Sequence, residues 1–402
     1  MLFPLQVRAY KGIMSALKLA TKIIPMPKPT LFSGPGSSLE LCDAIAQLGV
    51  KKVMIVTDSM LVKLGLLKGI KKRLNKHGVE TAIFDGVLPD PSYDQINSGL
   101  AFLKQHNSEA ILAIGGGSSI DAAKVIAAGA TNNKAIDKMV GMFRVWKAPL
   151  PFFAIPTTAG TGSEATVGAV ISDPITHKKR LVIDPKLMPM MAALDASLMT
   201  GLPAPITAAT GMDALTHAIE AYLSLNASHE TNGYALAATR LIMENLPKVM
   251  ADGSDLVARQ NMAQASFYAG LAITKASLGY VHAISHNLGA YYGTPHGVGN
   301  AIVLPYVLDF SKKAVASRLA ELAEVSGLKT ANETDSQLAQ MFIDHIRGMS
   351  ESFGIPKQLE ALEVDDIPAI TKAALKEAHY NYPVPKYLNQ GACEKLLNQM
   401  LV

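Results

Sequence analysis

An α/β unit built on a parallel sheet, followed by an all-α unit, is the fold this 402-residue sequence predicts. Three observations carry it. From about residue 29 to 195, short β-rich runs alternate with helical runs, the pattern of parallel β-α-β units. The strand runs are almost wholly apolar, as a sheet covered on both faces requires. After Leu202-Pro203 the strand signals vanish, and long stretches rich in Ala, Leu, Met and Glu take over. The expected division is an N-terminal arm over 1–27, an α/β domain over 28–200 and a helical domain over 201–402.

In the first half the expected strands are Lys52–Thr57, Thr81–Phe84, Ala110–Ile114, Phe152–Ile155, Ala169–Ser172 and Ala192–Leu194, with helices near 38–48, 60–77, 92–106 and 118–129. In the second half the expected helices cover 205–224, 231–250, 255–276, 312–325 and 335–353. Breakers such as Asp252-Gly253, Gly293-Thr294-Pro295 and Gly354-Ile355-Pro356 separate these runs. The first residues, with Arg8, Lys11 and Lys18 among apolar positions, read as a short amphipathic arm and lack a clean signal-peptide core.

Composition narrows the partners. Apolar residues make up 49% of the chain and charged residues 17%, which is a globular balance. The formal charge of +4 is small for this length, and the basic clusters Lys71–Lys72–Arg73 and Lys178–Lys179–Arg180 read as solvated helix faces rather than a nucleic-acid patch. No apolar run reaches membrane-spanning length, so no membrane contact is expected. Two distant cysteines, Cys42 and Cys393, make no disulfide framework, and a cytoplasmic location is expected.

Two loops carry glycine and hydroxyl groups at strand ends. In AILAIGGGSSIDAAK a strand runs through Gly115-Gly116-Gly117-Ser118-Ser119 into a helix, which brings free N–H groups and a helix dipole to an anion. An ordinary βα turn would not need three successive glycines. IPTTAGTGSE sets Thr157, Thr158 and Thr161 around Gly160 and Gly162, and in tandem the two loops suit a dinucleotide. Asp58 ends the VMIVTD run. It would serve as a helix N-cap, or accept from a ribose hydroxyl and repel a 2′-phosphate.

The second half holds a constellation of metal-ligand type. Asp213 and His217 stand four apart in a helix-forming run, so both project from one face. His282 and His286 repeat the spacing, and His296 follows a Gly- and Pro-containing bend. One carboxylate with three imidazoles, Asp213, His217, His282 and His296, suits a divalent transition metal such as Fe²⁺ or Zn²⁺ with a coordination position left open. His286 reads as a proton shuttle, a fifth ligand or a partner of a ligand. His77, His106, His177, His229, His345 and His379 read as ordinary core or surface histidines.

Taken together these segments resemble the iron-containing (group III) alcohol dehydrogenases. The matching stretches are Gly34-Pro35-Gly36, VTD at 56–58, PDP at 89–91, GGGSSIDAAK at 115–124, PTTAGTGSE at 156–164, LPAPITAATGMDALTHAIEAY at 202–222 and GYVHAISHNLGAYYGTPHGVGNAIVLP at 279–305. The resemblance implies the architecture that these enzymes share with dehydroquinate synthase-like proteins. In it an N-terminal dinucleotide-binding α/β domain and a helical C-terminal domain flank a cleft for metal and nicotinamide. It implies Asp213, His217, His282 and His296 as metal ligands. It implies Gly116, Gly117 and Ser118 at the pyrophosphate, with Asp121, Thr157, Thr158 and Thr161 along the cofactor. It implies Lys179 near the ribose, Asp58 favouring NAD over NADP, and His286 beside the metal. Three stretches depart from the family. The first 25 or so residues precede its usual start, Ser33 stands where glycine is frequent, and HYNYPVPKYLNQGACEKLL follows its Asn-Pro-containing ending only loosely.

The implied activity is an oxidoreductase reaction. A primary alcohol and its aldehyde would be interconverted with NAD, a metal acting as Lewis acid on the alcohol oxygen and hydride passing to nicotinamide. The implied assembly is a homodimer. The alternatives are a polyol- or lactaldehyde-type dehydrogenase of the same superfamily, zinc-dependent, and a metal-dependent hydrolase or lyase that uses the same ligands without nicotinamide. The two glycine- and threonine-bearing loops argue against the last.

Overall fold

The computed structural model describes residues 2–23, 26–175 and 178–402; His177, expected as a surface histidine, lies outside them. The chain opens with helix α1 (Leu2–Ile23). It then runs β1 (Thr30–Ser33), α2 (Ser37–Gln47), β2 (Lys52–Val56), α3 (Ser59–Lys63), α4 (Lys68–Lys76), β3 (Glu80–Phe84), α5 (Tyr93–Gln105), β4 (Ala110–Gly115) and α6 (Gly117–Asn132). Next come β5 (Gly141–Met142), β6 (Phe152–Pro156), β7 (Gly168–Ser172), β8 (Lys179–Ile183) and β9 (Met191–Leu194). Only helices follow: α7 (Ala204–Leu223), α8 (His229–Ala251), α9 (Leu256–Ala276), α10 (Tyr280–Tyr292), α11 (His296–Ser311), α12 (Ala316–Val325), α13 (Asp335–Ser352), α14 (Ile367–Asn381) and α15 (Gln390–Asn398).

Two units emerge from the way the chain packs on itself. One comprises Met26–Leu202 with Ser254–Phe267. The other comprises residues 2–23, Pro203–Gly253 and Tyr268–Val402. The first half of α9 joins the α/β unit because Gln260 Nε2 donates to Leu194 O at 2.9 Å and its Oε1 accepts from Ala196 N at 3.2 Å.

The α/β unit is a six-stranded sheet in the order β1-β9-β6-β4-β2-β3, parallel throughout. The pleat sends alternate residues to opposite faces, and both faces are buried. Val53, Ile55, Leu112, Ile114, Phe153 and Ile155 pack with Leu41 and Ile45 of α2 and Ile70 and Leu74 of α4. Met54, Val56, Ile111, Ala113, Phe152 and Ala154 pack instead with Ile96 of α5 and Ile120 and Ile126 of α6. A fully buried Ile or Leu contributes about 1.5–3 kcal/mol, so this two-sided burial is why the strand runs lack polar alternation. A small sheet β5-β8-β7 caps the α6 side, with β7 and β8 antiparallel.

The helical unit centres on α7, which is buried all round from Gly211 to Leu223. It lies against α8 and α11, while α10 lies against α11 and α14. α1 belongs to this unit. Met14 is buried, and Tyr10 lies against His379, Tyr380 and Tyr387 at ring-centroid distances of 4.7, 5.3 and 5.9 Å.

Several local expectations are corrected. The helix expected over 60–77 is two helices, because Gly65, at φ +73°, takes the left-handed conformation that ends α3. Lys179 and Arg180, expected on a solvated helix face, lie on strand β8, where apolar Leu181 to Ile183 complete the run. The short strands β1 and β5 carry too few residues to signal themselves. The helix expected from 312 begins at Ala316 after a 3-10 turn over Lys312–Ala314, and α10, α11, α14 and α15 lie outside the expected helical ranges. Gly297, Gly299 and Pro305 mask α11, yet packing against α7 holds it helical.

Candidate metal centre and nucleotide-binding edge

Helix periodicity brings Asp213 and His217 one turn apart on the buried face of α7. α10 supplies His282, and α11 begins at His296, directly after Pro295. Asp213 Oδ1 stands 3.8 Å from His217 Nε2, 3.7 Å from His282 Nε2 and 3.5 Å from His296 Nε2. Donors about 2.1 Å from one ion would lie about 3.4 Å apart at a tetrahedral angle; Asp213, His217 and His282 form the close set, their donor atoms all within 4.8 Å of one another, and His296 approaches that set at Asp213. Asp213, His217 and His282 are buried, and the His217 and His282 rings stack at 4.6 Å. His296 is 29% exposed, which leaves one side of the cluster open.

Charge in the cluster is balanced internally. Burial pushes the Asp213 carboxyl up, but His217, His296 and His282 outweigh it and hold the group well below the usual carboxylate range. Burial pushes the His282 imidazole down, and the Glu220 and Asp213 carboxylates outweigh it, raising the group to about 9.

Glu220 and Asn300 went unnoticed in the sequence. Glu220 lies on α7 three residues beyond His217, and its Oε2 takes His282 Nδ1 at 2.6 Å and Gly279 N at 2.9 Å while Oε1 takes Val281 N at 2.7 Å. One carboxylate thus caps the start of α10 and leaves His282 Nε2 as the donor atom for a metal. A Cβ on Gly279 would sit 2.7 Å from Glu220 Oε1, so only glycine fits there. Asn300, one turn after His296 on α11, donates through Nδ2 to Asp213 Oδ1 at 2.7 Å. The i,i+7 spacing of Glu220 from Asp213 and the i,i+4 spacing of Asn300 from His296 were the available signals.

His286 sits one turn past His282. Its ring stacks on His296 at 5.2 Å and meets His282 edge-on at 5.8 Å, and its Nδ1 is 2.7 Å from Glu377 Oε1 on α14. Glu377 carries no spacing signal, because α14 meets α10 only in the fold.

In the α/β unit the chain leaves β2 toward β3 on one side and β4 toward β6 on the other. The switch point of the sheet therefore lies at the C-terminal ends of β2 and β4, where open α/β sheets take their ligands. Asp58 follows β2, Gly116 to Ser118 follow β4, and Thr157, Thr158 and Thr161 follow β6, all on this one edge. Gly115, at φ +153°, turns the chain, and Gly117 and Ser118 open α6 with N–H groups that the helix itself cannot pair. A Cβ on Gly117 would lie 2.7 Å from Thr161 Cγ2, so the two loops touch and form a cradle only glycine permits. Thr157 N donates to Gly115 O at 3.0 Å and ties the loops further.

The other residues named from the sequence face different partners. Asp58 Oδ1 caps α3, accepting from Met60 N and Leu61 N at 2.9 and 3.0 Å. Asp121 is buried, with Oδ2 accepting from Val170 N at 2.9 Å and Oδ1 3.8 Å from Lys124 Nζ. Lys124 is wholly buried and donates to Thr166 O and Gly168 O, which anchors α6 to the segment after the threonine loop. Burial lowers the Lys124 ammonium to about 8 and raises the neighbouring Glu164 carboxyl to about 7. Lys179 Nζ pairs with Asp90 Oδ1 at 2.9 Å.

Comparison with known proteins follows the same division. The family model described as iron-containing alcohol dehydrogenase matches residues 28–196, and that of the Fe-containing alcohol dehydrogenase family, C-terminal, matches residues 207–401. The NAD-dependent methanol dehydrogenase of Bacillus methanolicus is 40% identical over 351 residues, covering 87% of this chain and 92% of that relative. Alcohol dehydrogenase 4 of Saccharomyces cerevisiae is 40% identical over 361 residues, covering 89% of this chain and 93% of its own. The crystal structure of a 1,3-propanediol oxidoreductase superposes with a TM-score of 0.91 at 36% identity, covering 94% of this chain and 100% of that one. With both halves matched by one family's models and relatives aligned over most of its length, the chain belongs to the iron-containing alcohol dehydrogenase family.

Proposed function

We propose that this chain interconverts a short primary alcohol and its aldehyde with NAD, and that Asp213, His217, His282 and His296 hold the divalent metal the reaction needs. The chain is an NAD-dependent alcohol oxidoreductase by family. The observation that carries the metal assignment is the convergence of four donor atoms from α7, α10 and α11, with Asp213 Oδ1 3.5–3.8 Å from each imidazole nitrogen. One carboxylate with three imidazoles suits Fe²⁺, with Zn²⁺ the second choice. Bound there, the metal would supply Lewis acidity, and NAD would supply the hydride chemistry.

The protein's own groups do the rest. Glu220 keeps His282 turned toward the other donors. His286, beside His282 and His296, takes the hydroxyl proton during oxidation and returns it during reduction. In the α/β unit, the N–H groups of Gly116, Gly117 and Ser118 would hold the pyrophosphate of NAD, with Thr157, Thr158 and Thr161 beside it. The Asp58 carboxylate at the end of β2 favours a ribose hydroxyl over a 2′-phosphate, and hence NAD. Asp121 and Lys124 tie α6 to the segment from Thr166 to Val170 that follows the threonine loop, and Lys179 lies on β8 of the small sheet.

The methanol and 1,3-propanediol activities named for the relatives support a short primary alcohol as substrate. The edge position of β1 supports a homodimer formed through that strand. The free, buried thiols of Cys42 and Cys393 support a reducing, cytoplasmic setting. No helix among the described residues is long and apolar enough to cross a membrane. The test is anaerobic purification, elemental analysis and an NAD-linked alcohol panel on one sample. About one iron or zinc per chain and turnover of short alcohols are expected, with both lost in Asp213→Ala. Full turnover of a metal-free preparation would overturn the assignment.

A further inference from the structure

The two α10 histidines are held in the same way by different helices. His282 Nδ1 meets Glu220 of α7 at 2.6 Å, and His286 Nδ1 meets Glu377 of α14 at 2.7 Å. The same Glu377 oxygen accepts from Tyr382 Oη–H at 2.7 Å, and that phenol is buried. An ionised carboxylate can only accept, so the phenol must donate and His286 Nδ1 must carry the ring's proton. Burial pushes the Glu377 carboxyl up, but the positive charge of His286 in its protonated form and the hydrogen bonds from His286 and Tyr382 outweigh it and keep the group below its ordinary range, in the acceptor form. In the neutral ring Nε2 is then the bare nitrogen, pointing away from Glu377, and it has no hydrogen-bond partner among the described residues.

We propose that Glu377, braced by Tyr382, is a positioning residue that fixes His286 in the Nδ1–H tautomer and so leaves Nε2 as a proton acceptor beside the metal-ligand cluster. The proposal rests on the reading of His286 as the group that exchanges a proton with substrate. Glu377 touches none of the four metal ligands' donor atoms, so its part is separable from metal binding. A simple tie between α10 and α14 would need only a hydrogen bond, and glutamine would keep one. Fixing the tautomer needs a group that cannot donate, and the glutamine amide donates as readily as it accepts.

The experiment uses zinc-loaded full-length protein labelled with ¹⁵N-histidine, with His286→Asn to assign the signal. In the wild type the His286 nitrogens should report the Nδ1–H tautomer, and Glu377→Gln should shift them toward a mixture. With a turned-over alcohol, Glu377→Gln should lower kcat by about 10–100-fold, with metal content and the KM for NAD unchanged within twofold. Tyr382→Phe, which removes only the brace, should move the same signal the same way by less. Glu377→Asp should recover part of the loss. A wild-type His286 in the Nε2–H tautomer, or unchanged signals and unchanged kcat in Glu377→Gln, would overturn the proposal. If no alcohol is turned over by the wild type, the functional reading fails while the tautomer measurement still decides the role of Glu377.

Discussion

Replacing Glu220 by Gln keeps the shape of the side chain and removes its charge. The native carboxylate is 8% exposed and accepts three hydrogen bonds: Oε2 from Gly279 N and His282 Nδ1, Oε1 from Val281 N. Glutamine has one oxygen, so an NH₂ group must face either Val281 N–H alone or both Gly279 N–H and His282 Nδ1–H. The first orientation loses less, yet it still sets a donor against a donor where 2.7 Å separates the native pair. One charge-assisted bond is lost and two become neutral, a cost of about 2–4 kcal/mol in stability. Losing the anion behind the proposed ligand His282 should weaken metal binding about 10–100-fold, or about 1.4–2.8 kcal/mol. The assay is the rate of metal transfer to a chromogenic chelator, with thermal melts of the metal-loaded and metal-stripped protein alongside. A variant that kept its metal as long as the wild type, within twofold, and melted at the same temperature would refute the reasoning. Gly279→Ala offers an independent route, because its Cβ would press within 2.7 Å of Glu220 Oε1 and should cause metal loss with the charge intact.

Gly117→Ala drives a methyl group to 2.7 Å from Thr161 Cγ2, so it should raise the dissociation constant for NADH at least tenfold in a fluorescence titration while leaving metal content unchanged. Burial raises the Glu164 carboxyl from its ordinary value of 4.5 to about 7. The folded protein therefore keeps a proton that the unfolded chain releases, and stability should fall as pH rises from about 4.5 to about 7, by up to about 3 kcal/mol. Urea unfolding across that range should show a flatter slope for Glu164→Gln, and parallel slopes would count against it. Tyr10→Ala removes the ring that joins α1 to His379, Tyr380 and Tyr387, so it should lower the unfolding midpoint and speed proteolysis within the first 25 residues, read by mass spectrometry.

What lay within a turn or a strand of its neighbours was legible in the residues. Short apolar runs separated by helical periods announce a parallel sheet, and the absence of such runs after Pro203 announces helices, because both are patterns contained in a short window of sequence. Asp213 and His217 share a face for the same local reason. Gly115 to Ser118 are readable as a strand-to-helix turn with free N–H groups because the chain itself supplies the glycines and the helix start. The boundaries of α3, α4 and α11 were harder to read, since one left-handed glycine splits the first pair and packing on α7 overrides Gly and Pro in the last.

Tertiary packing alone decided the partners. Asn300 reaches Asp213 across 87 positions of sequence, and Glu377 reaches His286 across 91. No periodicity links such residues; they meet because α11 buries its face on α7 and α14 buries its face on α10. The same is true of α1, whose docking depends on aromatic rings nearly four hundred positions away in the chain. A sequence lists which side chains can ligate, donate or accept. The one turn in which each finally points is chosen by the burial of helices against one another, a non-local free energy that no short window of residues contains.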